Sequence, residues 1–266
     1  MSFFPVETLH VTDPGLPDAV GEMRAGRLGG LLLRGVYSPA RAAAMTARLA
    51  AGHDFAVHPL GVQFEAYSLG LGLDHAQPDL EGYLDGVEPW ERACDGLGAA
   101  IDRRLHEVLS ARAAAPIARP RGPDGRPYLG TTLRRLPPGG LIPPHCENEQ
   151  MGRGPFGHLN GLIDGETLIS FFLTLAPPES AGALAVHDLS FAELNEAVMF
   201  KGRTRVAHLL ADRAVVRVTP AAGELLIFDG GRRIHQVEAV GGGRDRWTAG
   251  GFLAYAPGGD RIYRWS

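Results

Sequence analysis

The stretch ELLIFDGGRRIHQVEAVGGGRDRWTAGGFLAY, residues 224–255, carries the strongest fold signal in the chain. ELLIFD is a short apolar run stopped by a Gly-Gly pair, a histidine opens the next run, and three glycines then turn the chain into RWTAGGFLAY. Runs of this length, rich in β-branched and aromatic residues and closed by glycines, read as strands joined by turns. Working outward, the same grammar recurs in TTLRRL (131–136), TLISFFLTL (167–175), GALAVHDL (182–189) and AVVRVTP (214–220). About seven short strands at such spacing predict a mainly β core with added helix: a sandwich or a small double-sheet barrel of the jelly-roll kind. The segment DLSFAELNEAVMFKG, between two of the runs, is expected to be a helical or loop insertion.

The N-terminal half is different. GGLLLRGV (29–36) reads as a strand, and Ser38-Pro39 followed by ARAAAMTARLAAG reads as a capped helix ending at Gly52. From Pro89 to about Ala115, Trp90, Ala93, Leu97, Ile101, Leu105 and Val108 recur at spacings of three and four, which predicts one long amphipathic helix. PIARPRGPDGRP (116–127) then marks a loop or an internal boundary. The expected organisation is a single domain over residues 1–266. In it, a mixed helical support region (1–127) flanks a β core (128–256), and no internal repeat is evident.

The 266 residues, 45% hydrophobic and 21% charged, suffice for a sizeable core. A net charge of -4 offers no global attraction to nucleic acid or to an anionic membrane, so neither is an expected partner. Cys94 and Cys146 form no CxxC pair, and no apolar run is long enough to span a bilayer or to act as an export signal. A cytoplasmic protein acting on a small molecule is expected, and a homodimer is compatible with the composition.

Within LRRLPPGGLIPPHCENEQ (133–150), His145 and Glu147 are two residues apart. In an extended strand such residues point to one face, so imidazole and carboxylate can converge on one ion. His235, opening a strand after the Gly-Gly turn, is a candidate third ligand. His158 and His187 are alternatives, which would give a cupin-like set. Two imidazoles and a carboxylate leave adjacent coordination positions open, which suits Fe(II) and oxygen chemistry, whereas a structural zinc site is closed by four ligands. Arg246, with Arg244 as its rival, would supply a planar fork for a carboxylate.

The order of strand, H-x-acid, strand pair, Gly-Gly turn, His-x-Val and then Arg-aromatic-hydroxyl resembles the 2-oxoglutarate/Fe(II) oxygenases. It is most similar to their prolyl-hydroxylase-like branch, over roughly residues 128–256. The resemblance implies a double-stranded β-helix core with iron held by His145, Glu147 and His235. It also implies that Arg246, followed by Trp247-Thr248, grips the C5 carboxylate of 2-oxoglutarate. The cofactors implied are Fe(II), 2-oxoglutarate and O2. The implied reaction couples decarboxylation of 2-oxoglutarate to oxidation of an unactivated C–H bond, by hydroxylation, desaturation or ring closure such as cyclopropane formation. The size of the chain and its HCEN and DGG features resemble small oxygenases that tailor free amino acids in specialised metabolism.

The family's acid is usually aspartate, and Glu147 is one methylene longer. A related halogenating branch replaces the acid by Gly or Ala to admit chloride; Glu147 fills that position, so the resemblance disfavours halogenation. Relatives of the free amino acid halogenases that keep an acid would look much like this chain.

Strand alternation sends one of Arg134 and Arg135 inward as a candidate anchor for a substrate carboxylate, with a surface ion pair as the plain alternative. Asn148 and Glu149 are placed behind the ligands or at the pocket rim. His187 is a candidate substrate contact if it is not a ligand. His53, His58, His75, His106 and His208 lack partners at ligand spacing. Two other readings of the whole remain: a cupin-type metal isomerase or dioxygenase without 2-oxoglutarate, and a jelly-roll binding module without catalysis.

Overall fold

The structure is a computed structural model; it describes residues 2–51, 57–59, 67–73, 80–93, 98–194, 199–200, 203–204 and 206–266. His53, His75, Cys94 and Leu97 lie outside these.

Every β run of the sequence forms a strand. The strands that matter here are β1 (Val6–His10), β2 (Gly30–Arg34), β3 (Tyr67–Leu69), β4 (Thr132–Leu136), β5 (Ile142–His145), β6 (Ile169–Ala176), β7 (Leu184–Ser190), β8 (Val215–Val218), β9 (Leu225–Asp229), β10 (Arg233–Val237), β11 (Arg246–Tyr255) and β12 (Ile262–Trp265). They build two sheets. The larger runs β1-β2-β9-β6-β11-β4-β3 and on to Val57–Pro59, with β12 joined to β11; the smaller runs β8-β7-β10-β5. This is the expected mainly β jelly-roll arrangement with flanking helices.

Two features of the larger sheet differ from the expected boundaries. The N-terminal half is more than a support: β2 pairs with β9, Leu33 opposite Leu225 and Leu31 opposite Ile227, and β1 extends the sheet in parallel. The core also continues past residue 256, because β12 pairs with β11 and with Ile117–Ala118 inside the segment expected to be loop.

The helices form where caps and stripes predict. In α1 (Pro39–Ala50) the Ser38 hydroxyl accepts from Arg41 N–H, Pro39 occupies the first turn, and Ala42, Met45 and Leu49 face inward. The expected long helix is described in two parts, α2 (Leu80–Ala93), with Pro89 inside it, and α3 (Gly98–Ser110); whether they are continuous rests on residues 94–97, which lie outside the described residues. The apolar stripe is real, since Ile101, Leu105 and Val108 are buried. The insertion at 188–202 begins with a short 3-10 turn, Phe191–Glu193, and includes the two-residue strand Met199–Phe200.

The largest apolar core lies between the large sheet and the helices, joining Met45, Leu49 and Leu105 to Leu31, Leu33, Phe171, Leu173 and Ile227. A smaller one, with Leu184, Val186, Leu226 and Phe228, fills part of the space between the two sheets. The rest of that space is the site. No helix among the described residues is long and apolar enough to cross a membrane.

Candidate metal centre and cosubstrate pocket

The small sheet brings the two histidines together. β10 and β5 are antiparallel with His235 directly opposite His145, and the two rings lie 4.3 Å apart. β5 carries Pro143 and Pro144, which lack an N–H to donate, and it is accordingly an edge strand. Glu147 arrives differently from expectation. The strand ends at His145, Cys146 keeps an extended backbone, and Glu147 begins a 3-10 helix, Glu147–Gly152. Its N–H donates to Gly230 O, which ties this helix to the Gly-Gly turn between β9 and β10.

That turn has to be glycine. A Cβ on Gly230 would lie 2.4 Å from Ser170 Oγ and 2.8 Å from Glu147 Cγ, and one on Gly231 would lie 2.3 Å from Asn148 Oδ1. Asp229 braces the turn by accepting from the Thr167 hydroxyl at 2.6 Å and from Arg232 at 2.7 Å.

One ligand atom from each of His145, Glu147 and His235 lies within 4.8 Å of the other two. Glu147 Oε1 is 3.7 Å from His145 Nε2 and 3.6 Å from His235 Nε2. Each imidazole hydrogen-bonds a backbone carbonyl through Nδ1, His145 to Pro143 O at 2.7 Å and His235 to Arg233 O at 3.0 Å. That fixes the tautomer and turns both Nε2 lone pairs toward the carboxylate.

Burial by itself would raise the Glu147 carboxyl, but the two imidazoles hold it well below the usual carboxylate range, so it is ionised at any ordinary pH. Burial, then the His145 ring, pushes His235 down and keeps it neutral. Burial opposes a charge on His145 as well, yet Glu147 outweighs it and raises that group. One anionic oxygen and two nitrogen donors around a common point suit a divalent ion of the iron type, with several positions left open.

The same cavity holds Arg246 and Arg134. Alternation along β11 places Arg246, Thr248, Gly250 and Phe252 on the cavity face, and Thr248 pairs with Arg134 on β4. Arg246 is 5% exposed, lies 5.1 Å over the Phe172 ring, and meets no carboxylate among the described residues. Burial, then the nearby Arg134, pushes it down to about 10. Arg134 lies 5.7 Å over the Phe252 ring, and its Nε is buried without a partner.

The other candidates fall elsewhere. Arg135 points away, to Asp245 at 2.6 Å and over the Trp247 ring, and Arg244 is exposed in the turn. Asn148 does not line the cavity: its amide oxygen accepts from Leu168 N–H at 3.0 Å, holding the approach to β6. The Glu149 carboxylate accepts from Cys146 N–H behind the site, and the Cys146 thiol points away to Gly231 O. His187, 7% exposed with neither ring nitrogen bonded, is also off the cavity, because its neighbour Val186 is the one packed between the sheets. His158 bonds the Tyr128 hydroxyl instead.

Sequence reasoning missed Ser170 and Gln150, both of which donate to Glu147. Ser170 leaves a trace, a hydroxyl in a mostly apolar strand; Gln150 leaves none.

The chain matches the family described as carrier-protein-independent halogenase WelO5 over residues 3–266. It belongs to that family. No curated protein sequence matches it. Among solved structures, it is similar to an N-substituted L-amino acid dioxygenase from Burkholderia ambifaria in complex with α-ketoglutarate. The identity is 15%, with 92% of this chain and 90% of that one covered and a TM-score of 0.57. It is also similar to SnoN, a non-haem α-ketoglutarate dependent epimerase of nogalamycin biosynthesis, at 13% identity, with 93% and 88% covered and a TM-score of 0.51. At such identities the likeness shows the fold. This WelO5-family chain is an Fe(II)/2-oxoglutarate-type enzyme, with Fe(II) and 2-oxoglutarate as its cofactors.

Proposed function

We propose that this protein hydroxylates, or otherwise oxidises, an unactivated C–H bond of a small carboxylate-bearing molecule of the amino acid type. In this reading His145, Glu147 and His235 hold the iron, and Arg246 with Thr248 holds the distal carboxylate of 2-oxoglutarate. Arg134 anchors the substrate carboxylate. The observation that carries it is the composition of one cavity: three ligand atoms converge near two guanidiniums that have no acidic partner among the described residues. A buried cation such as Arg246 is costly without a counter-charge unless a ligand supplies one, and with the half-buried Arg134 beside it the cavity has guanidiniums for two carboxylates.

The bound iron supplies the oxidising power once O2 and 2-oxoglutarate reach it. The residues do the rest. The arginines set the register of cosubstrate and substrate, so that one C–H bond faces the metal. Phe172, Phe228 and Phe252 line the cavity with apolar surface that limits water. The N-substituted amino acid dioxygenase with the same fold supports the choice of substrate class.

Halogenation is the second reading, favoured by the family's description. Against it stands Glu147, 4% exposed and held by hydrogen bonds at the position a halide would need. A panel of free and N-substituted amino acids, incubated with Fe(II), 2-oxoglutarate, O2 and chloride, tests both readings. Substrate-stimulated succinate with a product heavier by one oxygen, or lighter by two hydrogens, is expected. A chlorinated product would establish the second reading, and absence of succinate with every substrate and without any would remove both.

A further inference from the structure

We infer that Gln150 is a positioning residue that commits Glu147 to metal ligation through a single oxygen, Oε1. The inference rests on the proposed metal site and extends it to a residue outside the ligand set.

The local fold makes the contact unavoidable. In a 3-10 helix, residues i and i+3 lie one above the other, and Glu147 and Gln150 are so related in the Glu147–Gly152 turn. Gln150 is 5% exposed, and its Nε2 donates to Glu147 Oε2. The Ser170 hydroxyl donates to Oε1 at 3.2 Å, and Oε1 is also the oxygen that both histidine Nε2 atoms face. The two carboxylate oxygens therefore differ: Oε2 is capped by an amide N–H, and Oε1 is turned to the metal position.

The amide orientation follows from charge. Rotating Gln150 by half a turn would set its carbonyl against the carboxylate, acceptor against acceptor. In the orientation present, Gln150 Oε1 is left buried with no partner. A buried unpaired acceptor is costly, and a side chain selected for stability alone would not retain it. A monodentate carboxylate leaves one more coordination position than a bidentate one. An acid one methylene longer than aspartate needs that restraint more, since it has an extra rotatable bond. Gly230 gives the extra methylene its room.

The test is Co(II) binding by the apoprotein, read by titration and by the visible ligand-field spectrum, in a cycle with Glu147→Ala. Gln150→Met keeps length and volume and removes the donor. It should weaken Co(II) about tenfold, the usual lower bound for losing a ligand's hydrogen-bond partner, and should alter the spectrum. In the Glu147→Ala background, Gln150→Met should change neither. Gln150→Leu gives the same reading if the methionine variant fails to fold. An equal loss in both backgrounds would mark Gln150 as merely structural and overturn the inference, as would unchanged affinity and spectrum in the single variant. Failure of the unsubstituted protein to bind Co(II) would instead remove the metal site itself.

Discussion

Replacing Arg246 by leucine should leave the ligand-free protein as stable as before, or more stable, while destroying its response to 2-oxoglutarate. In the free protein Arg246 is a buried cation, and the drop from 12.5 to about 10 corresponds to about 3 kcal/mol of penalty on its charged form. Leucine removes that penalty and keeps most of the side-chain packing, at a cost of about 1–2 kcal/mol for the methylenes lost. The net is about 1–2 kcal/mol in favour of the variant, or roughly 2–8 °C in Tm for a chain of this size. With cosubstrate the sign reverses. Truncating one side of a buried charged pair costs about 2–5 kcal/mol, which is roughly 30-fold to several thousand-fold in affinity. The assay is thermal unfolding with Mn(II) in place of iron, with and without 2-oxoglutarate. The unsubstituted protein should gain several degrees from the cosubstrate and Arg246→Leu none, with Arg246→Lys intermediate because an ammonium meets the carboxylate as a point charge. A variant that loses several degrees when free, yet gains as much from 2-oxoglutarate as the parent, would show that Arg246 does not hold the cosubstrate.

Gly230→Ala should displace Glu147, because the new methyl overlaps Ser170 Oγ and Glu147 Cγ; a loss of at least about tenfold in Co(II) affinity, with near-normal circular dichroism, is expected. Far from the site, Asp102 pairs with the buried Arg264 at 2.9 Å, and Asp102→Asn should cost about 2–3 kcal/mol, below the value for fully buried pairs because the carboxylate is a third exposed. Burial opposes the charge on Asp102, but Arg264 outweighs it and holds the carboxyl below its ordinary 3.8. Its contribution is therefore complete above that value and is lost as pH falls through the lowered one. Chemical denaturation between pH 2 and 5 should show a flatter acid limb in the variant.

Much of this was readable from the chain because the informative residues sit in regular strands. His235 opens a run bounded by glycines, and alternation along RWTAGGFLAY separates Arg246 and Thr248 from Trp247. Other parts depend on contacts that no local pattern encodes. The pairing of β2 with β9 joins leucines from opposite ends of the chain. Choosing between Arg134 and Arg135 needed the sheet's facing, which placed Arg135 against Asp245. Gln150 was invisible because HCENEQ reads as extended around its metal-ligand pair, whereas the backbone coils at Glu147 once its N–H is taken by Gly230. A few residues of 3-10 helix leave no periodicity to detect.

On the proposed reading, His145, Glu147 and His235 hold an iron that 2-oxoglutarate chelates beside Arg246. Anaerobic addition of Fe(II) and 2-oxoglutarate to the purified protein tests it most directly. A weak visible metal-to-ligand charge-transfer band that requires both additions and is absent from His235→Ala is expected. No band in the unsubstituted protein, or an undiminished one in His235→Ala, would contradict it.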